Sequence, residues 1–67
     1  MSVAKVIEIS AASPESFEQA VRVGLERAGR TVDGIQGAWV KDQQVRCENG
    51  RISEFRVNML VSFILKE

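Results

Sequence analysis

Residues 35–66 read IQGAWVKDQQVRCENGRISEFRVNMLVSFILK, and this stretch decides the fold. Asn49-Gly50 at its middle is a strong signal for a two-residue hairpin turn, because both positions of a type I′ turn need a positive φ. The flanks, 35–48 and 51–66, are predicted to be two antiparallel strands. Each could extend for about 40 Å at about 3.3 Å per residue, whereas the usual strand has about five or six residues. One helix is too short to cover such a hairpin.

A two-residue turn also predicts the register of the hairpin. Alternation in the last strand gives one apolar row that must pack on a helix, namely Phe55, Val57, Met59, Val61, Phe63 and Leu65. Ala38 and Val40 are predicted to share that side. The other side is predicted to pair Trp39 with Leu60, Lys41 with Asn58, Gln43 with Arg56 and Gly37 with Ser62, and to include Ile35, Val45 and Ile64. A mixed face with an exposed tryptophan is typical of a subunit contact or a ligand site.

The upstream half supplies one strand and one helix. Residues 3–10 are rich in β-branched side chains and are predicted to form a strand. Ser13 is a candidate N-cap and Pro14 suits the first helical position, where a missing N–H costs nothing. An apolar stripe through Phe17, Val21, Leu25 and Ala28 predicts an amphipathic helix from about residue 14 to about residue 30.

The predicted fold class is therefore α+β, with βαββ order in a single domain over residues 1–67. The helix returns the chain, so the second strand runs parallel to the first and the third runs antiparallel to both. Placing the first strand beside the third gives a three-stranded antiparallel sheet in the order 1-3-2. The second strand is then a long and poorly protected edge, which favours contact with a neighbour.

Composition favours a homo-oligomer and argues against several function classes. The chain has 67 residues, one cysteine and no histidine, so neither a disulfide nor a zinc site can support a core that is marginal at this size. Lys+Arg and Asp+Glu both number 9, which argues against a nucleic-acid partner. No apolar run approaches the ~18 residues of a membrane span. A cytoplasmic location is expected from the single free thiol.

Catalytic chemistry is not predicted, because the sequence has no histidine base and no phosphate-binding glycine motif. Cys47 is interpreted as a small apolar filler. A metal ion held by oxygens alone could use Asp42 and Glu54 across an oligomer axis, but the sequence gives no support for such a site.

In size and order of features the chain resembles the dodecin family. The resemblance runs through residues 4–9 (AKVIEI), 12–17 (ASPESF), 26–28 (ERA), 31–33 (TVD) and 57–63 (VNMLVSF). It implies a sheet curled around the helix and twelve copies in a hollow shell with tetrahedral symmetry. It also implies binding of a flavin such as riboflavin or FMN near the two-fold axes, for storage or quenching without catalysis, and in some members binding of coenzyme A.

Two ligand-binding positions of the family are changed in this chain. The tryptophan that stacks on the flavin ring in flavin-binding dodecins falls on Gly37, and the glutamine that bonds the ring edge falls on Arg56. The resemblance then suggests a displaced site in which Trp39 stacks, Gly37 leaves room, and polar contacts come from Gln43, Arg56 and Asn58. The alternative is a shell without flavin, in which Trp39 and Arg56 complete a subunit interface and an ion or coenzyme A binds elsewhere.

Overall fold

The computed structural model describes residues 3–65. Its elements are β1 (Ala4–Ser13), α1 (Phe17–Gly29), β2 (Ile35–Glu48) and β3 (Arg51–Ile64). The strands form one sheet in the order β1-β3-β2 with antiparallel pairing throughout, which confirms the predicted topology. The predicted end of the last strand at residue 66 lies outside the described residues. Within that range, no helix is both long and apolar enough to cross a bilayer.

The helix begins later than the sequence predicts. Ser13 is still part of β1, where it pairs with Phe55, and its Oγ accepts a hydrogen bond from the Glu15 N–H at 3.0 Å. The N-cap is Ser16, whose φ of −169° is extended and whose Oγ accepts from the Gln19 N–H at 3.0 Å. The prediction of Ser13 as the cap was wrong. Its hydroxyl accepts a hydrogen bond in the turn that follows β1, and the helix begins only after Ser16.

The helix packs on β1 and β3, and the core lies between them. Val57, Met59 and Val61 of β3 are fully buried, and Ala20 of the helix is buried against them. Phe17, Val21, Leu25 and Ile35 are half-buried around this cluster, and the rings of Phe17 and Phe55 meet edge to face at 5.1 Å. The row from Phe55 to Phe63 therefore lies on the helix side, as the sequence predicts, whereas Leu65 follows the strand and is exposed.

Strand β2 lies outside this core. Of its fourteen residues, Ile35 is half-buried and the other thirteen are exposed, including Cys47, so Cys47 does not fill a core position within one chain. The molecule measures 51 × 19 × 13 Å with a radius of gyration of 13.7 Å, against about 11 Å for a compact domain of this length. The long hairpin thus extends past the surface that the helix can cover.

Bulges change the predicted hairpin register in its middle. Trp39 pairs with Leu60 and Gly37 with Ser62 as predicted, but the pairing shifts between Val40 and Asp42 and again between Arg46 and Cys47. Between these shifts the true pairs are Asp42 with Asn58, Gln43 with Val57, Gln44 with Arg56 and Val45 with Phe55. The predictions that Gln43 and Val45 lie on the open side were therefore wrong, because one extra residue moves the following side chains to the other face. Lys41 stays on its predicted side, but Asp42 replaces it as the partner of Asn58. A further shift after Ile35 pairs it with Phe63 on the helix side.

Gly24 sets the distance between the helix and the sheet. A Cβ added there would lie 2.8 Å from the Cβ of Ala11 and 2.8 Å from the Cε of Met59. The methionine tip can move, but the alanine Cβ is fixed to the backbone of β1. Close packing of the helix on β1 therefore depends on the missing side chain.

We expect Gly24→Ala to lower the free energy of unfolding by about 1–2 kcal/mol, because overpacking outweighs the gain in helix propensity. Gly29→Ala is the matched control, since a Cβ at that helical glycine meets nothing within 4 Å. It should leave stability unchanged or raise it by up to about 1 kcal/mol. Urea unfolding followed by circular dichroism measures both, and equal effects of the two substitutions would contradict this account of the packing.

Candidate functional site

The sheet has two faces with different chemistry. The helix face is the side on which α1 packs, and the open face is the opposite side. Register and alternation place on the open face a group of side chains from all three strands: Val6, Glu8 and Ser10 of β1, Arg56, Asn58, Leu60 and Ser62 of β3, and Gly37, Trp39, Asp42 and Gln44 of β2. This face has no helix over it in the described chain, and it holds the candidate site.

An apolar cleft lies beside Trp39 at one end of the open face. It has a volume of about 390 Å³ and is lined by Val6, Gly37, Ala38, Trp39, Leu60 and Ser62. The Trp39 side chain is 73% exposed, so its indole forms a wall rather than part of a core. Gly37 has no side chain to narrow the cleft beside the indole, and a Cβ added there would meet nothing within 4 Å. The volume lies in the range of small-ligand pockets, about 300–1,000 Å³.

A polar group borders the cleft where β2 bulges. Lys41 and Asp42 both lie on the open face, because a bulge lets two consecutive side chains face one partner residue. The Asn58 amide donates to the Asp42 carboxylate, and the Lys41 ammonium donates to the Glu8 carboxylate at 3.4 Å. Both members of the Lys41–Glu8 pair are about half exposed, so the pair contributes little to stability and its charges remain available to a ligand.

Arg56 lies farther along β3 and is already held by two partners. Its Nε donates to Glu54 Oε2 at 3.1 Å, and its Nη1 donates to Ser10 Oγ at 3.0 Å. Four residues separate Arg56 from Leu60, a distance of about 13 Å along a strand. Arg56 therefore does not line the cleft beside Trp39, and its guanidinium is held by Glu54 and Ser10 farther along the open face.

The structure brings together four of the five site residues predicted from the sequence. Gly37, Trp39, Asn58 and Arg56 share the open face, whereas Gln43 is opposite Val57 on the helix face. Sequence reasoning missed Val6, Glu8 and Lys41. Val6 and Glu8 could have been found from the predicted strand order, since alternation in β1 places them beside Ser62 and Leu60. The bulge that turns Lys41 and Asp42 to the same face has no comparable signal in the sequence.

Within residues 3–65 no group of three or more Asp, Glu or Cys side chains is arranged to hold a metal ion. The two carboxylates considered from the sequence, Asp42 and Glu54, are each engaged by a neighbouring side chain, Asn58 and Arg56 respectively. A cation at either carboxylate would have to compete with these donors or gather ligands from several copies of the chain.

Comparison with known proteins gives consistent matches along nearly the whole chain. The family model described as Dodecin matches residues 3–66. Calcium dodecin from Mycobacterium tuberculosis is 38% identical over 66 residues, which covers 98% of this chain and 93% of that protein.

Solved structures match equally well. Dodecin from Streptomyces davaonensis superposes with a TM-score of 0.95 at 32% identity, covering 98% of this chain and 97% of the other. A crystal structure of calcium dodecin from Mycobacterium tuberculosis, described as calcium chelating with a novel calcium-binding site, gives a TM-score of 0.83 at 38% identity and covers 96% and 91%.

Proposed function

The chain belongs to the dodecin family, and from that premise we propose that it is a non-catalytic homododecamer that binds and sequesters a flavin, riboflavin or FMN, at the open face. The observation that carries the proposal is the exposed indole of Trp39 beside an apolar cleft. The proposed ligand lies on this cleft, and a second copy of the chain covers it. A cytoplasmic location stays a prediction from the sequence.

An isoalloxazine ring fits the chemistry of this cleft. Its flat aromatic surface can stack on Trp39, while Val6 and Leu60 supply apolar contact across the sheet. Stacking of a nucleobase on an aromatic side chain is worth about 1–3 kcal/mol, and a flavin ring is at least as large. A ligand stacked on Trp39 would cover indole surface that is otherwise in contact with water.

The polar groups of the open face support binding of the flavin side chain rather than recognition of the ring edge. Asn58 and Arg56 are hydrogen-bonded to Asp42 and Glu54, so neither is free for the pyrimidine edge without giving up a partner. The salt bridge of Lys41 is exposed and long, and this ammonium can exchange Glu8 for a phosphate. In this proposal Trp39 carries most of the affinity.

A second candidate ligand is a divalent cation, and one specific observation favours it. The relative that is 38% identical over nearly the full chain is named calcium dodecin. Since no described cluster in one chain could hold a metal, a calcium site here would combine carboxylates of several copies, with Asp42 as the exposed candidate on the open face. Coenzyme A remains an expectation from the family resemblance alone.

We expect Trp39→Ala to weaken riboflavin binding by about tenfold or more, because it removes the stacking surface, while the mass of the oligomer is unchanged. Trp39→Phe is the matched control and should retain most of the affinity. Quenching of riboflavin fluorescence on titration with protein measures the affinity, and light scattering measures the mass. Wild-type affinity in the alanine variant would contradict the assignment of the stacking residue.

Gly37→Trp is expected to strengthen flavin binding by about tenfold. A side chain at this position meets nothing within 4 Å of its Cβ, and the new indole lies on the open face beside Trp39. The same fluorescence titration measures the gain. If the substitution leaves affinity unchanged in a folded oligomer of normal mass, the ligand does not bind at this end of the open face.

The two candidate ligands can be separated by a pair of variants. Calorimetric titration with CaCl₂ should show loss of any calcium binding in Asp42→Asn, because the amide keeps the shape and removes the charge that holds a cation. Riboflavin binding by this variant should stay within about threefold of wild type. Saturable calcium binding that survives Asp42→Asn would exclude Asp42 as a ligand.

A further inference from the structure

One ion pair lies beside the apolar cleft of the open face. Glu8 of β1 and Trp39 of β2 both pair with Leu60 of β3, so these three residues form one row across the sheet. Leu60 and Trp39 line the cleft, and the Lys41 ammonium lies 3.4 Å from the Glu8 carboxylate at the β1 end of the row. Neighbouring strands are about 4.8 Å apart, which places the backbone of Glu8 about 10 Å from that of Trp39. A positive charge is therefore held at the border of the cleft, across the row from the indole.

The Lys41–Glu8 pair is weak enough to be exchanged for another anion. The two side chains are 54% and 52% exposed, and their contact is longer than the 2.7–2.9 Å or so of a strong charge-assisted hydrogen bond. Among residues 3–65, Glu8 is the one hydrogen-bond partner of this ammonium. Arg56, by contrast, is held by two partners at 3.0 and 3.1 Å. Because lysine has a compact charge on a flexible stem, the Lys41 ammonium is the open-face cation that can turn toward a ligand in the cleft.

We propose that Lys41 makes this site select the phosphorylated flavin, FMN, over riboflavin. The inference rests on the proposed function and names the residue that distinguishes its two ligands. The ring stacks on Trp39, the ribityl chain crosses the row, and the ammonium exchanges Glu8 for the phosphate. A phosphate monoester carries a charge of about −1.5 to −2 at pH 7, more than the single charge of the Glu8 carboxylate. Riboflavin has the same ring and the same chain but ends in a hydroxyl, so it binds with the Lys41–Glu8 pair intact.

Two carboxylates limit the preference for the phosphate. Asp42 follows Lys41 in the bulge, and its carboxylate accepts a hydrogen bond from the Asn58 amide, which leaves its charge in place. When the ammonium turns to a phosphate, Glu8 loses its cation, and both carboxylates then repel the phosphate. The selectivity for FMN should therefore be modest, about tenfold. Glu8 acts as an internal competitor for Lys41, so removing its charge should strengthen the binding of FMN alone.

Titration of riboflavin and of FMN with each protein, followed by quenching of flavin fluorescence, tests the assignment. Lys41→Met removes the charge and keeps a long side chain. It should weaken FMN binding about tenfold, to the level of riboflavin, and leave riboflavin affinity within about twofold of wild type. Arg22→Met is the matched control, because it removes an equal charge from a helix residue whose side chain is 67% exposed and paired with Glu18. This control should keep both affinities.

A second variant tests the exchange in the opposite direction. Glu8→Gln removes the competing charge, so it should strengthen FMN binding about threefold and leave riboflavin binding unchanged. A gain of affinity cannot result from a damaged fold. Raising NaCl from about 50 to about 500 mM should lower the affinity of the wild type for FMN toward that for riboflavin, because salt screens exposed charges. Riboflavin affinity should not follow the salt concentration.

The other outcomes separate this inference from the proposed function. A wild type that binds neither flavin overturns both. Equal affinity of the wild type for riboflavin and FMN overturns the selectivity alone, and so does a Lys41→Met variant in which both affinities fall together. A preference for FMN that survives Lys41→Met, or one that is lost equally in Arg22→Met, shows that the phosphate is not held by Lys41.

Discussion

One helix of thirteen residues cannot cover a hairpin whose strands have fourteen residues each, and the rest of the structure depends on this mismatch. The helix protects β1 and β3, where Val57, Met59 and Val61 are fully buried. Strand β2 keeps an uncharged face open to solvent although its other face is rich in charges. Leaving apolar surface of this kind in water forgoes about 25 cal/mol of stabilisation per Å². A chain this small buries little surface on folding, so its free energy of unfolding is small without that contribution. Association of copies is the simplest way to recover it.

The same mismatch explains where a ligand can bind. Because the helix lies on one side of the sheet, the open face has Trp39, Gly37 and Leu60 at its surface around a cleft. The family resemblance places the ring-stacking position at Gly37, and the Trp39 indole lies two residues farther along the same face of β2. Polar neighbours such as Arg56 and Asn58 are tied into local pairs, which is why the proposed function relies on stacking at Trp39 and not on hydrogen bonds to the edge of a ring. The proposed site thus lies on the face of the hairpin opposite the helix.

The fold could be predicted from the sequence because its signals are local and agree with one another. Asn49-Gly50 predicts the hairpin, the row from Phe55 to Phe63 predicts the buried face of the sheet, and the helical stripe through Val21 predicts the helix that packs on it.

The site was only partly predictable. Counted from the turn, the shift between Arg46 and Cys47 moves Gln43 to the helix face, and the shift between Val40 and Asp42 restores the predicted register. Trp39 and Gly37 therefore lie on the predicted face. A bulge depends on pairing energies along both strands, and no residue near Lys41 marks it. The helix start was also misplaced, because Ser13 and Ser16 both carry a hydroxyl that can accept from a backbone N–H and the sequence does not show which of them caps the helix.

Thermal unfolding at a series of protein concentrations tests the central claim most directly. If copies must cover the helix face of β2, folding is coupled to association, and the unfolding midpoint should rise steadily as the total concentration increases from about 1 to 100 µM. Sedimentation at the lowest concentration should then show either the oligomer or unfolded chain. A folded single chain whose midpoint is independent of concentration would contradict the claim, because β2 would then be stable with its apolar face in water.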